Sequence, residues 1–237
     1  MLLPDRLREV WSEADAGHLS REAAFVAQEQ LLDGYRTAWR NALLIDGEGD
    51  LRTSLLREVA AYYEIDNLAE VEQRCVNAVA TMRCEWEEYI DPRQRASVES
   101  FYQSATMVYD LMGWHSLQND TGPLAYVLGL EIARAHHVQI CLDFGSGVGS
   151  GALLFARAGI AMMLADISTT LLAFAHWRFA RRGLSAHFLD LNQTPLPTAS
   201  FDMVLAMDVF EHLADPVDAA ERLWQALRPG GLLFARI

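Results

Sequence analysis

Two kinds of hydrophobic spacing divide this chain. Up to about residue 120, apolar side chains recur every three to four positions, the period of helices with one buried face. Pro4 and Asp5 open a short segment ending near Gly17, and Ser20 is placed to cap a longer helix over 21–45. Its apolar positions are Phe25, Leu32, Tyr35, Trp39, Leu43 and Leu44. After a turn at 46–50, a third helix carries Leu51, Leu55, Leu56, Val59, Ala60 and Tyr63. A fourth carries Leu68, Val71, Cys75, Val79, Met82 and Trp86, and stops at Asp91-Pro92. The spacing predicts a fifth, unbroken helix from Pro92, a residue well suited to a first turn, through Phe101, Tyr102, Val108, Tyr109 and Met112 toward Trp114.

Beyond Thr121-Gly122-Pro123 the period changes. A helix over 124–137 leads into short apolar runs that alternate with helical stretches. Strands are expected at 138–143, 160–165, 185–189, 201–206 and 231–236, and helices at 149–158, 169–181 and 216–227. That alternation signals βαβ units and a parallel sheet. The expected division is 1–120 as a helical accessory or lid region, with dimerisation as a second role, and 121–237 as the ligand-binding part.

The stretch from Cys141 to Arg157, CLDFGSGVGSGALLFAR, runs apolar strand, acid, glycine-rich turn, apolar helix. This order makes a nucleotide-like ligand site at the carboxyl end of a parallel strand, so the fold class read here is α/β, with a Rossmann-like, mostly parallel sheet of at least five strands. Gly145, Gly147 and Gly149 let the backbone turn tightly and approach a ligand. Asp166 follows at the end of the second strand, at about the twenty-residue interval that puts a carboxylate on a ribose diol. Asp190 and Asp208 follow the third and fourth strands. Four aspartates thus fall at strand carboxyl ends, where such sheets place ligands.

Charge narrows the partners. The 237-residue chain has a net charge of -13 and no lysine, so all 19 basic residues are arginine. It is a poor binder of nucleic-acid backbones, which are held by cationic contacts. The densest basic cluster, Arg178, Arg181 and Arg182, reads as the polar face of one helix. Without lysine, Schiff-base and lysine-base mechanisms are excluded. Cys75, Cys84 and Cys141 have neither a disulfide framework nor metal-ligand spacing, so no metal is expected. The amino-terminal stretch lacks an apolar run fit for a signal or a membrane span, from which a cytoplasmic protein with no membrane partner is expected.

Five segments of this half stand out together: LDFGSGVGSGALLFARAG, ADIS, HFLDLNQTPLP, FDMVLAMDVFEHLADP and LRPGGLLF. Together they resemble the class I S-adenosylmethionine-dependent methyltransferases, small-molecule branch, over about residues 121–237. The resemblance implies S-adenosyl-L-methionine as cofactor and S-adenosyl-L-homocysteine as product. It implies that Asp143 and the turn Gly145, Ser146, Gly147 and Gly149 cradle the amino-acid end, and that Asp166 binds the ribose. It places Ile167, Asp190 and Leu191 at the adenine, with Asp208, Val209 and Phe210 bordering the methionine side. A nicotinamide dinucleotide enzyme is the rival. The turn GSGVGSG lacks its glycine spacing, and the FEHL and RPGG segments have no counterpart there. The family fold continues past the fifth strand with a helix and an antiparallel hairpin, which this chain, ending at Ile237, does not include. The expectation is a sequence cut from a longer protein, with completion by a partner chain in a homodimer as the alternative.

Methyl transfer from a sulfonium is an in-line displacement, with the acceptor lone pair held roughly 3–3.5 Å from the methyl carbon. His212, beside Glu211 after the fourth strand, is the first candidate for general base, and His115 in GWHSLQND the second. Tyr102 and Tyr109, seven apart, share one face of the expected fifth helix, Tyr109 toward the cofactor and Tyr102 toward the acceptor. Trp114, Asn119, Phe210 and Glu211 complete the expected acceptor contacts. A lidded pocket fits a small-molecule, biosynthetic acceptor. Group transfer or cyclisation on the same cofactor, and a binding protein without turnover, are the alternatives.

Overall fold

Five strands, all paired in parallel, lie in the order β3-β2-β1-β4-β5: β1 (Ile140–Phe144), β2 (Ala161–Asp166), β3 (His187–Asp190), β4 (Phe201–Met207) and β5 (Leu227–Arg236). The computed structural model describes residues 2–91, 93–118, 121–213 and 215–237. Strand order reverses between β1 and β4, so the carboxyl ends of β1, β2 and β4 surround a topological switch point, the usual ligand crevice of such sheets. This is a Rossmann-like architecture, preceded by an all-helical region.

The helices are α1 (Leu3–Asp15), α2 (Arg21–Leu43), α3 (Leu51–Tyr63), α4 (Leu68–Tyr89), α5 (Arg95–Tyr102), α6 (Thr106–Gly113), α7 (Thr121–Ala135), α8 (Ser150–Arg157), α9 (Thr169–Arg181) and α10 (Pro216–Ala226). Side-chain caps fix several starts. Ser20 accepts from the Ala23 N–H at 3.1 Å, Asp50 from Thr53 at 2.8 Å, and Asp215 from Asp218 at 2.9 Å.

Three sequence expectations change. The fifth helix is two helices, α5 and α6, and its expected start at Pro92 lies outside the described residues. The break falls where Ser104 Oγ takes the Thr106 N–H at 3.1 Å and the Gln103 carbonyl takes the Thr170 hydroxyl at 2.9 Å, both in competition with helical bonds. Tyr102 and Tyr109 therefore sit on different helices and share no face. β5 begins at Leu227, earlier than 231, because a bulge against Phe201 and Met203 absorbs the Arg-Pro-Gly-Gly stretch. The arginine cluster is not a solvated face either: Arg178 is fully buried, and only Arg181 remains outside, over the Trp177 ring at 5.1 Å.

The core does not stop at residue 120. One apolar cluster runs from Trp39, Leu43, Leu55 and Val59 through Val108 and Met112 to Val148, Phe155, Leu164 and Phe174. The other face of the sheet packs Leu142, Val204 and Phe201 against Leu223 and Ala226 of α10. The helical region is thus moulded onto α8 and α9, the two helices that flank the glycine turn. Among the described residues, no helix is long and apolar enough to cross a membrane.

Candidate functional site

The site is built on the turn between β1 and α8. The Gly145 and Ser146 N–H groups both donate to the Ala165 carbonyl of β2, at 2.8 and 3.3 Å, and Gly149 closes the turn on the Ser146 carbonyl at 2.9 Å. Gly145 and Gly149 hold φ of +69° and +72°, a region that side-chain-bearing residues seldom adopt. A Cβ on Gly145 would stand 2.5 Å from Val209 Cγ2, and one on Gly149 would stand 2.9 Å from Leu164. At these two positions the protein's own packing already requires glycine. Gly147 faces Leu111 of α6, 3.1 Å from where its Cβ would lie.

Two polar side chains at this turn have no hydrogen-bond partner: the Asp143 carboxylate, 1% exposed, and the Ser146 hydroxyl. Burial, with the nearby Asp166 carboxylate second, pushes the Asp143 carboxyl up to about 7, against a smaller opposing pull from the Ala152 N–H, which falls short of hydrogen-bond geometry. An unpartnered buried carboxylate beside a turn is the kind of group a cationic ligand satisfies. Asp166 is engaged differently. One oxygen accepts the Gly147 N–H at 2.8 Å and the other the Ser168 N–H at 2.9 Å. Burial raises its pKa and those two bonds lower it, with burial prevailing. Each oxygen keeps a second lone pair for a ribose hydroxyl.

At the next strand, Asp190 Oδ1 accepts the Asn192 backbone and side-chain N–H groups at 2.8 and 2.9 Å. Asn192 also donates to the Ile167 carbonyl at 2.7 Å, and the Leu191 N–H donates to the Asp166 carbonyl at 3.0 Å. Ile167, Asp190 and Leu191 are thereby gathered at one rim. On the opposite rim Asp208 adopts φ +54° and receives a two-pronged bond from the Arg236 guanidinium, with Nε–Oδ1 at 2.6 Å. Val209 packs on Gly145, and Phe210, half-buried, begins the 3-10 turn Phe210–His212, whose Glu211 and His212 are exposed.

The helical region lies over this crevice. Burial, then the Asp166 and Glu211 carboxylates, raise the Tyr102 phenol above its ordinary range, so it stays a hydrogen-bond donor. Gln103 latches onto the loop after β2: its amide donates to the Ile167 carbonyl at 2.9 Å and accepts from the Thr169 hydroxyl at 2.9 Å.

Other expected residues are not brought here. Tyr109 stacks on Tyr63 and accepts from Arg74 at 3.0 Å, on the opposite side of α6 from Leu111. Trp114 is 59% exposed at the end of α6. His115 pairs with the buried Asp110 at 3.4 Å. Asn119 lies outside the described residues.

Sequence reasoning missed Tyr126 of α7, whose ring fills the space a Cβ on Gly151 would occupy, 2.1 Å away. Burial, then Asp143 and Asp208, hold its phenol well above its ordinary value, so it too stays a donor. The signal available was Gly151 itself, a glycine inside a helix where only close packing explains it. Two clefts, of about 490 and 780 Å³, open elsewhere on the helical side; none of the turn residues lines either. Among the described residues no group of three potential ligands is placed to hold a metal.

Residues 142–235 match the family described as "Methyltransferase domain". A ubiquinone biosynthesis O-methyltransferase from Parvibaculum lavamentivorans is 38% identical over 95 residues, covering 39% of this chain and 38% of that protein. A tRNA 5-carboxymethoxyuridine methyltransferase from Escherichia coli is 32% identical over 97 residues, covering 39% and 37%. Among solved structures, the [4+2]-cyclase SpnF aligns with 27% identity and a TM-score of 0.39, over 45% of this chain and 44% of that one. The chain spans about two fifths of the length of these two curated relatives.

Proposed function

We propose that the protein is an S-adenosylmethionine-dependent methyltransferase acting on a small-molecule acceptor. The observation that carries this reading is the unpartnered, buried Asp143 carboxylate at the foot of the Gly145–Gly149 turn, with Asp166 across from it. The residues fit the cofactor. Asp143 offers an acceptor to the amino-acid ammonium, Asp166 keeps lone pairs for the ribose diol, and Ile167 and Leu191 form an apolar rim for the adenine. When bound, the cofactor supplies an electrophilic methyl group on its sulfonium.

The protein's own part is positioning and exclusion of water. Tyr102 and Gln103 cover the crevice between the two rims. Tyr102 donates a hydrogen bond to an acceptor approaching from the Glu211 side, and His212 takes the acceptor's proton where the acceptor is a hydroxyl; a carboxylate acceptor needs no base.

A small acceptor is favoured over RNA by the net charge of -13, even though one relative is named for a tRNA substrate. The test is methyl transfer from labelled cofactor to a panel of phenols, carboxylic acids, amines and bulk tRNA. Labelled product among the small acceptors supports the reading; labelling of tRNA alone overturns the substrate class.

A further inference from the structure

The fully buried arginine of α9 has a task that its place in an apolar core does not explain. Arg178 Nη1 donates to the Val148 carbonyl at 2.8 Å and to the Ser150 hydroxyl at 2.9 Å, the two residues on either side of Gly149. Its other nitrogens meet Glu58 of α3 at 3.2–3.3 Å, with both side chains 0% exposed. Arg182 also binds Glu58 and donates to the Leu43 carbonyl, the last residue of α2, at 2.7 Å. Burial works against the Glu58 charge, but Arg178 and Arg182 more than offset it and hold the carboxyl below its ordinary range. Burial lowers Arg178 from a value so high that the guanidinium stays protonated.

A second contact runs alongside. Ser150 Oγ is 2.9 Å from Ser116 Oγ, which donates to the Leu111 carbonyl at 2.7 Å, while Trp39 donates to the Ser116 carbonyl at 3.0 Å. The turn that carries the proposed cofactor site is therefore held from outside the sheet, by the Glu58 carboxylate of α3.

We propose that Glu58 is a positioning residue for the glycine turn: by anchoring Arg178 it fixes the Val148–Gly149 peptide and the start of α8 in the ligand-ready form. The relevance of this to cofactor binding rests on the function proposed above, whereas the effect on the turn does not. A buried charge that loses its partner is strongly destabilising, whereas replacing a whole buried ionic cluster by apolar residues of similar volume is often tolerated. That difference separates positioning from mere support of the fold.

Glu58→Gln and the triple variant Glu58→Met/Arg178→Met/Arg182→Met are compared with the parent by hydrogen exchange and by titration with S-adenosylmethionine. In the triple variant, which leaves no buried charge unpaired, we expect amides of 145–152 to exchange at least tenfold faster. Those of β4 should be unchanged, and the cofactor Kd should rise at least tenfold. A triple variant that keeps parental protection in 145–152 and parental affinity overturns the proposal. Uniform loss of protection, equal in β4 and in the turn, overturns it too, because it marks loss of the whole fold. Absence of cofactor binding by the parent, together with selective loosening of the turn in the variant, supports the positioning role and sinks only the cofactor reading.

Discussion

Asp143→Asn should stabilise the ligand-free protein while weakening its grip on S-adenosylmethionine, two effects of opposite sign from one atom. The Asp143 carboxyl is raised from 3.8 to about 7 by burial and by Asp166. Between those two pH values the folded state holds a proton that the unfolded chain has released, so stability falls as pH rises and levels off above pH 7. The full penalty above pH 7 is about 4 kcal/mol as a ceiling, and only about 1–2 kcal/mol at pH 5. Asparagine removes the penalty but buries an amide with no partner, which costs about 1–3 kcal/mol at any pH. The net expectation is a gain of about 2 kcal/mol at pH 8, or roughly 5 °C in melting temperature for a chain of this size, and little or no gain at pH 5. Urea denaturation of parent and variant at both pH values measures it. Cofactor titration at pH 8 should show at least a tenfold rise in Kd, because the carboxylate that faces the ammonium is gone. An effect on stability that is the same at pH 5 and pH 8 would refute the assignment of a buried, unpaired charge.

Three further expectations follow from particular contacts. Gly145→Ala forces a side chain onto φ +69° and against Val209 Cγ2. Backbone strain of about 1–3 kcal/mol plus the overlap should lower the melting temperature clearly, and Val209→Ala in the same chain should recover only the overlap. Gln103→Ala removes the latch on Ile167 and Thr169. At about 1 kcal/mol, the cofactor residence time measured by stopped flow should shorten roughly fivefold with little change in the association rate. His212→Ala should leave cofactor Kd within twofold and slow turnover by roughly a hundredfold or more; unchanged turnover would leave catalysis to positioning alone.

The parallel half was legible because its signals are local. Each strand is a short apolar run and each crossover helix has its own period, so α9 was placed over its full length and the other boundaries fell within a few residues. The glycine turn and Asp166 could be found because left-handed backbone and ribose spacing leave marks in a few adjacent residues. What was not legible depends on partners distant in sequence. The break at Gln103–Ala105 is set by Thr170, sixty-seven residues on, which takes a carbonyl that helical periodicity would have kept. Arg178 read as a surface residue because its neutraliser, Glu58, lies 120 residues earlier. Tyr109 could not be oriented once α5 and α6 separated, since a seven-residue interval has meaning only within one helix. Tyr126 enters the site through its packing on Gly151, a match between two helices that neither segment shows alone.

Isothermal titration of the unmodified protein with S-adenosylmethionine, beside Asp166→Ala, tests the central claim most directly. We expect one site per chain with a micromolar Kd, weakened at least tenfold in Asp166→Ala, which loses both a ribose acceptor and the Gly147 anchor. No saturable heat at high micromolar cofactor, or equal binding by parent and variant, would contradict it.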